Sequence, residues 1–301
     1  MIDGGVILSG LLTGGLYAVV ALGLSLVFGV MKLVNLAHGE IIVLGAYGAS
    51  LAVTILGWDP LLSILIVAPV VALLAYPLQR YVLTGLLRRG LEPPLVATFG
   101  VSLLVSSALV IAFSGNARSL PAAYALQGIE IAGITVRLSD VIAFAIGVVL
   151  VVACHLVMTR TRFGTSLRAA ATDPATAGLM AIDVKRIYAL TFAAAAGFAA
   201  VAGVLIGVGY SFTPTTGASY ILIGFTVVVL GGTGSILGTL WGGLALGLIQ
   251  SAGSSVLGGQ YRDLVIYVAF IVILLVKPFA GRIADSVRAS RARGVVLKGG
   301  S

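Results

Sequence analysis

Four polar side chains within a short stretch form the densest cluster in the chain that could take part in chemistry. They are Lys32, Asn35, His38 and Glu40, at the edge of a long apolar run. Ionisable groups held inside a membrane protein are costly and are candidates for a solute pathway. A metal or proton site is a weaker alternative, because the chain has only two histidines and no HExxH spacing. A solvated turn capped by Asn35 explains the cluster equally well.

A second cluster consists of small residues between two apolar runs: Gly231, Gly232, Thr233, Gly234 and Ser235. A phosphate-binding loop is excluded, because the Gly-Lys-Ser/Thr ending is absent and no strand precedes the glycines. In a membrane bundle such residues permit close helix packing, and a helix broken there can direct free N–H groups at a carboxylate. Close packing is the favoured explanation, and the five residues are candidates for the solute pathway.

The most informative polar segment runs from Arg160 to Arg186. Asp173 followed by Pro174 predicts the start of a short helix over 174–181, because the carboxylate accepts from free N–H groups and proline suits the first helical position. The helix would place small residues beside larger ones, and these are Ala175, Ala177, Gly178, Leu179 and Met180. Such a helix could dock in a partner's groove. The alternative is an amphipathic loop on the membrane surface.

These residues must be positioned by membrane-spanning helices. Of the 301 residues, 59% are hydrophobic and 9% are charged, against about a quarter charged in soluble domains. Roughly 20 apolar residues cross a bilayer, and six uncharged runs are about that long or longer: 4–31, 41–58, 60–79, 93–117, 141–159 and 187–261. We therefore predict an all-α polytopic membrane protein with about 8 to 10 transmembrane helices. No polar segment could house an ATPase, and one cysteine allows neither a disulfide framework nor a four-ligand zinc site.

The basic residues predict the topology. Most follow the third run, lie between the fifth and sixth, or form the tail, and the positive-inside rule places all three groups in the cytoplasm. Nine spans, with the N-terminus outside, place all three basic groups on the cytoplasmic side. We expect a transmembrane domain over 1–281, a cytoplasmic loop over 160–186, a basic tail over 282–301 and a small external hairpin near 128–137. A broken or re-entrant helix within 32–50 would change the count.

Other polar residues are scattered through the spans: Tyr17, Ser25, Tyr47, Thr98, Ser102, Tyr210, Thr226 and Gln250. Most such groups hydrogen-bond between helices, and some are expected to face a pathway. Of these, Tyr47 joins Asn35, His38 and Glu40 as a candidate pathway residue.

Four segments resemble the permease subunits of bacterial branched-chain amino acid ABC transporters. They span Gly15 to Tyr47, Phe163 to Gly207, Gly224 to Gly247 and Tyr261 to Pro278, in the family's order. The resemblance implies that residues 173–182, together with Arg168, form a coupling segment that docks on a separate ATPase subunit. It also implies an inner-membrane location, a periplasmic substrate-binding protein, and a second related permease, although a homodimer stays open. The chain itself would then hold no catalytic residue, metal or cofactor, since Mg-ATP binds the partner ATPase. Membrane lipid, not nucleic acid, would surround it.

Three positions depart from the family pattern. Ala181 replaces a usual glycine, Leu237 a common proline, and Ile223 a lysine that some members carry. If that lysine handles an anionic group, the solute preference here differs. Leucine, isoleucine and valine are the expected solutes, although relatives are assigned to urea, short amides and other amino acids.

Two other classes of function compete with this interpretation. A self-sufficient secondary transporter or channel should carry paired carboxylates or an ion site in its spans, but only Glu40 and Asp140 lie near span boundaries. An intramembrane enzyme would need a nucleophile and a base at one depth. The two histidines, His38 and His155, are far apart in sequence, which makes the enzyme the weakest alternative.

Overall fold

The computed structural model describes residues 3–90, 92–131 and 133–277, and these form a helical bundle. The predicted tail over 282–301 lies outside the described residues. Eight helices are long and apolar enough to cross a membrane, which confirms the all-α polytopic prediction. The eight are α1 (Gly4–Met31), α2 (His38–Leu56), α3 (Pro60–Leu87), α4 (Glu92–Phe113), α5 (Leu138–Arg160), α8 (Val184–Gly209), α10 (Ile236–Leu257) and α11 (Gly259–Lys277).

Three shorter α-helices lie between these spans: α6 (Arg162–Thr172), α7 (Pro174–Leu179) and α9 (Gly217–Gly231). The apolar α9 has only 15 residues and is too short for a full span. The eight long helices are one fewer than the nine predicted spans, and α9 stands in the place of the ninth. Breaks at 210–216 and 232–235 separate α8, α9 and α10. The first contains Pro214 and the second contains Gly232 and Gly234, residue types that interrupt helices.

The two ends of the bundle differ in character. At one end, strands β1 (Gly128–Ile131) and β2 (Ile134–Arg137) pair in antiparallel register, which confirms the predicted hairpin. Ile134 lies over Gly4 at the start of α1. We call this the hairpin end. The opposite end carries α6, α7 and an ion pair between Arg80 and Asp183, and we call it the basic end.

Helices α1 and α8 form the centre of the bundle. In the most apolar window of each, 83% and 78% of the residues are buried, whereas α4 and α11 are mostly exposed. A helix that is apolar on all sides needs surroundings that exclude water. Protein surrounds α1 and α8, and the exposed apolar faces of the outer helices suit lipid.

Glycines bring α1 and α10 into backbone contact. Gly10 and Gly14 on α1 face Gly243 and Gly247 on α10, and an added methyl group at Gly243 would lie 2.6 Å from the Gly14 carbonyl oxygen. Both pairs have the small-xxx-small spacing that permits close helix approach in membranes.

Helix α2 begins inside the bundle. The His38 imidazole lies 2.8 Å from the carbonyl oxygen of Val20, eleven residues before the end of α1, or about 16 Å back along it. Residues 32–37 therefore return into the bundle after Lys32 ends α1 in a left-handed conformation. This is the broken or re-entrant alternative considered for 32–50. The start of α1 lies at the hairpin end, and Lys277, at the end of α11, donates to Val229 near the end of α9.

Candidate functional site

The polar cluster at the start of α2 is buried. Asn35, His38 and Glu40 are 2%, 1% and 7% exposed, so the alternative in which His38 and Glu40 are solvated is wrong. The Asn35 carboxamide oxygen accepts from the Ala37 N–H at 3.1 Å and thereby orders the turn into α2. The His38 imidazole holds the helix start against α1. Lys32 is exposed at the edge of the cluster.

Glu40 faces the start of α9. An added methyl group at Gly217 would lie 2.7 Å from the Glu40 Oε1 atom. The other, Oε2, is buried and has no hydrogen-bond partner among the described residues. The starts of α2 and α9 therefore meet around a buried acid, which is an arrangement that broken helices form in transporters.

Tyr47 belongs to a different part of the bundle. Its ring packs 4.6 Å from that of Phe113 and 5.0 Å from that of Phe212, near the hairpin end. The hydroxyl is buried without a partner in the described chain. The structure therefore does not place Tyr47 beside His38 and Glu40.

The glycine-rich segment after α9 packs at the basic end. Gly231 contacts the backbone of Gly238, and an added methyl group at Gly234 would lie 2.8 Å from the Gly29 Cα atom. The Ser235 hydroxyl accepts from the Gly238 N–H at 3.0 Å and begins α10. Positive φ values at Gly232 and Gly234 require glycine. These contacts support the close-packing explanation, and Thr233 alone of the five borders a groove beside Lys32.

The predicted docking segment forms α6 and α7. The Asp173 carboxylate accepts from the N–H groups of Ala175 at 3.0 Å and Thr176 at 3.2 Å, so the predicted cap is confirmed. Bonds from the Thr176 hydroxyl and N–H lower the pKa of Asp173. Pro174 occupies the first position of α7. The helix ends at Leu179, two residues before its predicted end, because Ala181 adopts a left-handed conformation.

The side chains of this segment divide into an anchored and a free set. Ala177 is buried and faces the protein, whereas Leu179 and Met180 are 87% and 75% exposed. An added side chain at Gly178 would meet nothing within 4 Å. Arg168 donates to the Met158 carbonyl oxygen at the end of α5. Arg168 and Ala177 therefore hold the segment to the bundle, and Gly178, Leu179 and Met180 present its outer surface.

A cavity of about 240 Å³ lies toward the hairpin end of the bundle. Its wall combines an aliphatic and a polar part, formed by Leu16, Tyr17, Val20, Ile206, Tyr210, Ser211, Thr216, Ser219, Tyr220, Ile223, Arg262, Asp263 and Ile266. None of the candidate pathway residues chosen from the sequence lines it. Among the scattered polar residues of the spans, however, Tyr17 and Tyr210 do.

The sequence pattern does not mark Arg262 and Asp263 as site residues, because they interrupt the apolar runs. The uncharged run ends at Tyr261, so the next span is predicted to begin at Leu264 and the charged pair falls in a loop. In the structure both residues lie in α11, after its first turn at Gly259–Tyr261. A charged pair flanked closely by two apolar runs is the only signal the sequence offers.

Comparison with known proteins decides the family. The family described as "branched-chain amino acid transport system / permease component" matches residues 6–274, nearly the whole described chain. This chain belongs to that family. The resemblance carried by the four sequence segments is thereby confirmed.

The curated relatives cover most of the chain. The high-affinity branched-chain amino acid transport system permease protein BraD of Pseudomonas aeruginosa is 32% identical over 90% of this chain and 93% of its own. Its counterpart LivH of Escherichia coli K12 is 29% identical over 90% and 92%. The fructose import permease protein FrcC of Rhizobium meliloti is 27% identical over 81% and 69%. No solved structure matches.

Proposed function

We propose that this chain is the membrane permease subunit of an ATP-driven importer for leucine, isoleucine, valine or related small solutes. Its family membership and the names of BraD and LivH support the solute class. The observation that carries the proposal is the exposed apolar surface of Leu179 and Met180 at the basic end, which suits a protein partner better than water.

The partner at this surface is a separate ATPase that binds Mg-ATP, and the basic end faces the cytoplasm. The concentration of Arg and Lys at this end supports the orientation. A second related permease pairs with this one in the inner membrane, and a periplasmic binding protein delivers solute to the hairpin end.

Motion of the ATPase would be transmitted through α6. Leu167 and Ala170 of α6 are fully buried, and the Tyr188 hydroxyl of α8 donates to the Ala170 carbonyl oxygen at 3.2 Å. Helix α8 packs against α1, α2 and α3 and reaches the cavity through Ile206. A displacement of α7 would therefore move a rigid central helix, because packed cores rearrange between discrete states.

The test is uptake by the reconstituted transporter. The proteoliposomes contain this chain, its second permease and the ATPase. With the binding protein on the side of the hairpin end and ATP on the side of the basic end, they should accumulate radiolabelled leucine. Vesicles without the ATPase should not. Full uptake without the ATPase would overturn the proposal and favour a self-sufficient transporter or channel.

A further inference from the structure

The cavity at the hairpin end holds a guanidinium group that is poorly paired. Arg262 donates to the Tyr17 hydroxyl at 3.0 Å, and Tyr17 donates to the Gln250 carboxamide oxygen at 2.6 Å. The guanidinium also lies 4.7 Å from the centre of the Tyr210 ring. Within the described residues, no carboxylate oxygen lies within 4.0 Å of Arg262.

Arg137 shows what a paired arginine looks like in the same region. It lies over the same Tyr210 ring at 4.9 Å but makes two hydrogen bonds with Asp140, at 3.0 Å and 3.1 Å. Its charge is therefore compensated within the protein. Arg262 is held in place by neutral groups alone, and a guanidinium has five N–H donors, most of which stay available.

Arg262 is half-buried, four residues into the membrane-length helix α11. A cation withdrawn from water in this way is costly and is a candidate for binding a partner. A carboxylate is the planar acceptor that a guanidinium binds through two parallel hydrogen bonds. The cavity has room for such a partner, since about 240 Å³ exceeds many times the space that one water molecule requires.

The remaining walls match the rest of an amino acid. Asp263 is exposed and lines the same cavity, so the wall carries a negative as well as a positive group. Val20, Ile206 and Ile223 supply an aliphatic surface. An amino acid with a branched aliphatic side chain presents three complementary groups: a carboxylate for Arg262, an ammonium group for Asp263 and an apolar side chain for the aliphatic wall.

We propose that Arg262, positioned by Tyr17 and Tyr210, binds the carboxylate of the transported amino acid in this cavity. The inference rests on the proposed function and names the site at which the solute is recognised. It is independent of the binding protein, so it can be tested without one.

The test measures charge and occupancy inside the cavity. Ser219 lines it, and the native Cys154 is buried, so Ser219→Cys supplies one accessible thiol among the described residues. In the assembled transporter in nanodiscs, an anionic thiosulfonate should modify this thiol faster than a cationic reagent of equal size. Leucine should slow the reaction, whereas leucinol, which lacks the carboxylate, should not.

Arg262→Gln should lower the anionic-to-cationic rate ratio by up to about tenfold, since it removes the one cation among the described residues that line the cavity and leaves Asp263. It should also abolish protection by leucine. Arg262→Lys should retain the rate ratio and lose part of the protection. Arg118→Gln is the matched control, because Arg118 lies outside the cavity and contacts Phe113, and it should change neither result.

An unchanged ratio in Arg262→Gln would overturn the site. If that variant fails to assemble, the single variant Ser219→Cys still decides, because equal protection by leucine and leucinol would overturn it. Failure of the proposed function is recognised separately, by ATP-dependent leucine uptake that is absent from the wild-type transporter.

Discussion

The backbone of Gly39 lies so close to the carbonyl oxygen of Gly217 that an added methyl group at residue 39 would overlap it. Two helices, α2 and α9, thus begin beside each other inside the bundle, with the Glu40 carboxyl group between them. Non-helical backbone at this depth is tolerated only where protein or a cavity surrounds it. The close approach of Gly39 to Gly217 means that protein surrounds the backbone here.

Gly39→Ala should therefore destabilise the protein by about 1–3 kcal/mol, the usual cost of overpacking. The loss should appear as a lower Tm in detergent, followed by circular dichroism. Gly197→Ala is the control on α8, because an added methyl group there would lie 3.5 Å from its nearest neighbour, the Ala68 carbonyl oxygen. Equal Tm values for the two variants would contradict this account of the contact.

His38→Ala should also lower the Tm, since it removes the imidazole that bonds to Val20 and leaves a buried void. The expected cost is about 2–5 kcal/mol, typical of large-to-small core substitutions. Leucine uptake per folded permease should change little, because the main effect is on the Tm. His155→Ala is the control, because that side chain is only half-buried. Lost uptake at an unchanged Tm would instead assign His38 to the solute pathway.

Tyr47→Phe should leave uptake unchanged. The hydroxyl of Tyr47 is buried without a described partner, so its removal costs no hydrogen bond and relieves an unsatisfied group. The ring contacts with Phe113 and Phe212 remain. We expect a Tm equal to or slightly above that of the wild type. A large fall in uptake would show that the hydroxyl meets solute in another state of the transporter.

Gly178→Trp should uncouple the transporter while leaving the permease in the membrane. The new side chain meets open space in this subunit but would occupy the surface beside Leu179 and Met180. Loss of a central contact at such an interface weakens binding by at least about 2 kcal/mol, or roughly 30-fold. Co-purification of the ATPase and leucine uptake measure the effect.

Gly85→Trp is the matched control for Gly178→Trp. Gly85 also faces open space, near the basic end of α3, and lies outside the docking segment. Normal uptake by Gly178→Trp, or equal losses in both variants, would refute the docking role of α7.

The sequence predicts the helices well and the depth of polar groups poorly. Uncharged runs locate the spans because lipid tolerates few charges, and Asp173-Pro174 locates α7 because capping is local chemistry. The burial of His38 depends on residues 32–37 returning along α1, and no local pattern encodes that path. The cavity likewise depends on α11 lying beside α1, where Arg262 reaches Tyr17, which turns Arg262 from a loop residue in the sequence into a half-buried one.

Ile223→Lys would test the charge balance of the cavity. Ile223 lies one helical turn from Ser219 on α9, and both line the cavity with Arg262. A lysine there adds a second cation without a second anion, so solutes with two carboxylates should gain relative to leucine. In the Ser219→Cys background, glutamate should protect the thiol several-fold better in Ile223→Lys than in Ile223→Met, which keeps a side chain of similar volume without charge. Equal protection by glutamate in both variants would show that solute does not reach this wall.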